Sequence, residues 1–261
     1  MNALRIFFVG GLTSYRALFN WISPWVYIPQ MLGYPVFEIL FFAYLGRFAG
    51  VQSDEFFLIG NAFMAIALTG FFGMGNAVGG ERRSQTLAEL LASPANRLAL
   101  FLGRAVPSIL TGFVTAALSF TICSLILDIH FSSSELAGLA LAALVASFSC
   151  TAFGLCLGSL GLRGRSVSLF ADMVAGSMLL LSGANVPLDR LPEAIQQISN
   201  VLPLTHGIAA ARVLGGGGDL SDAAPLLWRE GVVGTVYLLI GIVMLRVLEY
   251  SGRRSAALET F

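Results

Sequence analysis

Long stretches without a charged residue alternate with short charged ones along this chain, and the alternation sets its elements. Residues 56–80, 105–127 and 136–162 carry no charge. Each is long enough for a helix of about 20 apolar residues to cross a hydrocarbon core of roughly 30 Å. Three further stretches have the length but hold ionisable residues. The first contains Glu38, the next Asp172, and the last, whose charge-free part starts at Gly231, closes on Arg246 and Glu249. The pattern predicts an all-α integral membrane protein of one transmembrane domain, with spans at about 25–46, 56–79, 98–127, 136–161, 166–187 and 230–250.

Shorter periodicities fill the gaps. Leu4, Phe7, Phe8, Leu12, Tyr15, Leu18 and Phe19 recur at helical spacing, with Arg5 and Arg16 among them. This favours a helix over 1–23 lying in the membrane interface, with the arginines reaching toward water. Arg16 interrupts the apolar run and no small-residue cleavage site follows, which argues against a signal peptide. After Pro187, the residues Leu188, Leu191, Ile195, Ile198 and Leu202 mark an amphipathic helix entered at Pro192 and closed before Pro203. It belongs to an outer helical cap over 188–214, lying on the surface or dipping back into the bundle. The glycines at 215–218 read as a flexible connector to the last span.

Composition agrees with this picture: 56% of residues are hydrophobic and 11% charged, against roughly 25% charged in ordinary soluble domains. All fifteen cationic residues are arginine. With no lysine, the chain has no phosphate-binding G-x-x-x-x-G-K-[ST] loop and no lysine Schiff base. Cys123, Cys150 and Cys156 fall inside predicted spans without a metal-ligand partner at useful spacing, and neither His130 nor His206 has one. No metal site is expected, and nothing points to nucleic acid. Ser182-Gly183 and His206 match no nucleophile-and-base motif, so intramembrane hydrolysis is disfavoured.

The charged island at 81–97 carries the most information. Thr86-Leu87-Ala88-Glu89 is a capping-box pattern followed by Leu90 and Leu91, so a helix starts there. Pro94 stops it, and Ser93-Pro94 starts the next helix. The spacing predicts a short helix over 81–93 with an apolar face at Leu87, Leu90 and Leu91. That face suits a docking partner; the alternative is a solvated loop that only carries orienting charge. Eleven of the fifteen arginines fall on the island's side of the predicted topology, with Arg47, Arg190, Arg212 and Arg229 opposite. The bias places the island and both termini in the cytoplasm.

Glu38 is the ionisable residue placed deepest in a predicted span. A carboxylate there costs on the order of 3 kcal/mol unless paired or solvated. It is either a substrate, proton or ion contact or a structural hydrogen-bonding group near Arg47. Used as a proton or ion site, it would make the protein a secondary transporter or channel, which often shows an inverted repeat; no convincing repeat is found.

The pattern Glu81-Arg82-Arg83-x-x-Thr86-Leu87-x-x-Leu90-Leu91-x-x-Pro94-x-x-Arg97 resembles the coupling segment of ABC-2-type exporter permeases, the membrane-spanning subunits of ATP-binding cassette efflux transporters. Gln85 departs from it where the family often has Gly. Leu181-Ser182-Gly183, Val186-Pro187-Leu188, Leu191-Pro192 and Leu202-Pro203-Leu204-Thr205-His206 resemble that family's segment before its last span. The resemblance implies that this chain is not an enzyme. Separate ABC ATPase subunits would bind ATP and Mg and engage Glu81, Arg82, Arg83, Thr86, Leu87, Glu89, Leu90, Leu91, Pro94 and Arg97. A second permease copy or paralogue would complete a dimer in the inner (plasma) membrane of a bacterial cell. Alternating access would export an amphipathic or hydrophobic compound, such as a drug, natural product or lipid-linked molecule. The path is expected to draw on Asn61, Phe63, Phe71, Phe72, Met178 and Leu181 beside Glu38. Pro187, Pro192, Pro203 and His206 would shape a cap of re-entrant helices, with His206 more suited to anchoring the cap than to titrating.

Overall fold

A computed structural model describes residues 29–83, 97–161 and 167–258. Among them there is no strand. The elements are a π-helical turn at Pro29–Gly33, α1 (Tyr34–Ala49), α2 (Asp54–Arg83), α3 (Arg97–Leu127), α4 (Ser133–Gly161), α5 (Val167–Leu181), a 3-10 turn at Leu188–Arg190, α6 (Glu193–Val201), α7 (Thr205–Gly215) and α8 (Leu220–Leu258). The predicted helix over 1–23 lies outside the described residues.

Among the described residues, five helical stretches are long and apolar enough to cross a membrane: Met31–Ala49, Asp54–Val78, Leu100–Leu127, Ser133–Leu160 and Leu220–Val247. Their outer faces are apolar too. On α3, Val106, Leu110, Val114, Leu118 and Ile122 are exposed at four-residue spacing, and on α8 Val232, Val236, Leu239, Val243 and Val247 form a similar stripe. Stripes of this kind suit lipid rather than water as the surrounding solvent.

The fifth stretch differs from its predicted range. Its helix ends at Leu181 rather than at 187. The chain turns there because Ser182 Oγ bonds back to the Met178 carbonyl and Gly183 adopts φ +81°, a conformation that suits glycine. The last helix begins ten residues before its predicted start. The glycine run, expected to be a flexible connector, is a bonded turn: Gly216 N and Gly218 N donate to the carbonyls of Arg212 and Val213, and Gly217 takes φ +80°. Pro35 sits in the opening turn of α1, a position that suits proline.

Two ends of the bundle can be told apart. One gathers the connections 50–53, 128–132 and 182–219, and is called the cap end. The other receives α2 at Arg83 and emits α3 at Arg97, and is called the island end. The parallel helices α2, α4 and α8 make the centre. Small residues let them approach: a Cβ on Gly154 would fall on the Gly70 carbonyl oxygen, one on Gly158 would press on Val78, and Gly234 and Gly241 of α8 meet Ser149 and Leu155. Such contacts drive helix association where no water need be expelled. α1 lies against α2 and α3, joined to α2 by the Arg47–Asp54 ion pair. Its buried face is Pro35, Glu38, Ile39, Ala43 and Gly46.

Candidate functional site

At the island end, α2 continues past the apolar stretch that closes at Val78 and carries Glu81, Arg82 and Arg83 as helical residues. With 30 residues it is about 45 Å long, longer than the roughly 30 Å hydrocarbon core. Its last turn is the charged one. Arg97 opens α3, and about two turns further along Arg104 Nη1 donates to the Ala77 carbonyl of α2 at 2.7 Å. Thr86, Leu87, Glu89, Leu90, Leu91 and Pro94 lie outside the described residues.

Of the residues expected along a substrate path, Asn61, Phe63, Phe71 and Met178 are buried in the chain's own core, with Phe72 packed against it. Leu181, half-buried, ends α5. The structure brings the α2 and α5 members together. Ser182 Oγ lies 3.7 Å from Met64 Sδ, and Asn61 Nδ2 donates both to the Phe57 carbonyl and to Asn185 Oδ1, each at 2.9 Å. The Phe71 ring is 5.1 Å from that of Phe153 on α4. Glu38 stands apart, on the α1 face that packs on α2 and α3. Its Oε2 is buried and has no hydrogen-bond partner among the described residues.

At the cap end, Pro187 precedes the 3-10 turn and Pro192 precedes α6. Pro203 follows α6, whose last turn is bonded through Leu202 N to the Ser199 carbonyl. His206 Nε2 lies 3.0 Å from the Asn200 carbonyl, tying the start of α7 to the end of α6. The two helices form a hairpin that dips alongside α8. Its tip at 201–204 meets α8 at Tyr237, whose hydroxyl donates to the Val201 carbonyl, and at Glu230. Glu230 is ten residues into α8, about 15 Å along its axis. α7 climbs back from the tip until Leu214 meets Gly138 and Gly215 meets Ile59.

Three residues given no role in the sequence organise this end. Glu230 is fully buried; its Oε1 accepts from Leu204 N at 2.7 Å and its Oε2 from Gly207 N at 3.0 Å. These amides open α7, where helical donors lack internal partners. Leu204 itself is buried with φ +79°, a conformation costing a side-chain-bearing residue about 1–3 kcal/mol. Near the other end of α7, Arg212 Nη2 donates to the Ala184 and Phe56 carbonyls at 2.9 and 3.4 Å. Acid at the first end and guanidinium near the last complement the helix dipole. The third, Asn185, holds Asn61. Glu230 borders the charge-free run at Gly231, and Arg212 counted only as an orienting charge, so neither stands out by spacing.

A bundle of helices with lipid-suited faces, a hydrogen-bonded helical hairpin at one end and a charged helix end at the other defines a multi-pass membrane protein. The model of the family described as "ABC-2 type transporter" matches residues 12–214, and the chain belongs to that family. It is 28% identical over 130 residues to "Probable multidrug ABC transporter permease YbhR" of Escherichia coli strain K12, the match covering 50% of this chain and 35% of that protein. The protein of the same name from Escherichia coli O157:H7 matches equally. The chain thus aligns with about a third of the length of these curated relatives.

Proposed function

We propose that this protein is the permease subunit of an ATP-driven exporter, moving an amphipathic or hydrophobic compound out of the cytoplasm by alternating access. The observation that carries the reading is the family match over 12–214, which takes in both the island and the hairpin. The relatives' printed name, a multidrug permease, favours a drug-like cargo. In this reading two permeases, identical or related, enclose a path in the inner membrane, with the island and the termini in the cytoplasm. Separate ATPase subunits carry ATP and Mg and seat on Leu87, Leu90 and Leu91. Their closure pulls on the charged end of α2. Because α2 is packed tightly on α4, and α4 on α8, the displacement reaches the centre of the bundle.

Co-purification from the native host tests this. An ABC ATPase recovered in stoichiometric amount, with ATP hydrolysis that drives uptake of an amphipathic dye into inverted vesicles, supports the reading. Dye movement that needs only an ion gradient overturns it.

That second outcome corresponds to the other reading, a secondary transporter using Glu38. The Oε2 of a carboxyl group within a span, without a hydrogen-bond partner among the described residues, is what favours it, since such groups mark ion and proton pathways.

A further inference from the structure

The hairpin at the cap end meets the last helix through few polar contacts, and Glu230 makes two of them. Its carboxyl group reaches across 26 residues of chain to Leu204 N and across 23 to Gly207 N. It bonds both amides at the tip of the hairpin while that tip holds Leu204 at φ +79°. Non-glycine residues keep such a conformation where their surroundings fix it, and here the bond from Leu204 N to Glu230 is part of what fixes it. An acidic residue within a helix of spanning length is costly. An apolar residue would fill the space at lower cost but leave the two α7 amides without acceptors. The group's placement is explained by attachment of the tip more readily than by packing.

We propose that Glu230 is the positioning residue that fastens the tip of the α6–α7 hairpin to α8, so that hairpin and last helix move as one body when the transporter changes state. The moving-body part rests on the transport reading above; the fastening does not. Tyr237 supports the same junction from one side through Val201, and Arg212 anchors the far end of α7 to Ala184 and Phe56.

The test uses the permease with its co-purified ATPase in lipid nanodiscs, comparing wild type with Glu230→Gln and Glu230→Ala. Glutamine keeps the size of the side chain and one acceptor, so it carries the measurement if the alanine variant does not fold. Amide exchange at Leu204 and Gly207 should speed up at least tenfold in Glu230→Ala and by a smaller factor in Glu230→Gln; unchanged exchange overturns the fastening.

The second arm places spin labels on cysteines introduced at Ile198 and Val236, both exposed. The native cysteines Cys123, Cys150 and Cys156 are buried. In wild type the label separation should be the same before and after trapping with ATP and vanadate. In Glu230→Gln it should shift or broaden on trapping while basal ATP hydrolysis stays within twofold. Faster exchange with a label separation that stays fixed in the variant would reduce Glu230 to a helix cap and overturn its role in moving the hairpin. If no ATPase co-purifies, the functional reading fails. The exchange arm and the nucleotide-free label distances of the permease alone still decide the fastening.

Discussion

The Arg212 guanidinium lies over the Phe56 ring, 3.5 Å from its centroid, and from there donates to the carbonyls of Ala184 and Phe56. One side chain of α7 thus holds the opening turns of α2 and the strap that follows α5. Stacking on an aromatic face while forking between acceptors is a capacity of the planar guanidinium that lysine lacks.

Arg212→Lys should therefore loosen the strap nearly as much as Arg212→Leu. Each is expected to lower stability by about 1–3 kcal/mol, the cost of leaving buried acceptors unpaired. Thermal unfolding in detergent, with hydrogen exchange over 182–186, reads the effect. A lysine variant indistinguishable from wild type would contradict it.

Glu38→Leu should raise thermal stability while impairing transport. The substitution removes a buried carboxyl oxygen that has no hydrogen-bond partner among the described residues, and replacing an unsatisfied polar group by an apolar one of similar size recovers on the order of 1–3 kcal/mol. A variant that is both more stable and fully active would mean that neither a proton nor a cargo uses this group.

At the centre, Gly154→Val should disrupt the crossing of α2 and α4, because its Cβ would meet the Gly70 carbonyl oxygen. Overpacking typically costs about 1–3 kcal/mol, and backbone is what must give here. Loss of monodisperse protein on size-exclusion chromatography is expected, whereas Gly176→Ala, with open space around the added methyl, should behave as wild type.

The island yields a prediction from sequence. Leu90→Arg places a charge on the proposed docking face and should abolish recovery of the ATPase with the permease, while Gln85→Ala should not. Retention of the ATPase by both variants, with vesicle transport intact, would refute the coupling assignment.

Sequence by itself determined the solvent this protein folds in and most of its helices, because a charge-free run of spanning length has few other ways to satisfy its backbone than a helix in lipid. It also determined the family, through two motifs whose residues are contiguous in the chain. Gly154 and Gly158, four residues apart, share one side of a helix by spacing alone.

Tertiary structure decided what depends on residues distant in sequence. The end of α5 at Leu181 follows from a turn locked by Ser182 and Gly183, and the early start of α8 follows from a bonded glycine turn. Asn61 reads as a lining residue until Asn185, 124 positions away, is seen to hold it. Glu230 reads as the edge of an apolar run until Leu204 and Gly207 are found on its two oxygens. A buried polar group takes its meaning from its partners, and hydrophobic periodicity carries no record of partners on other helices.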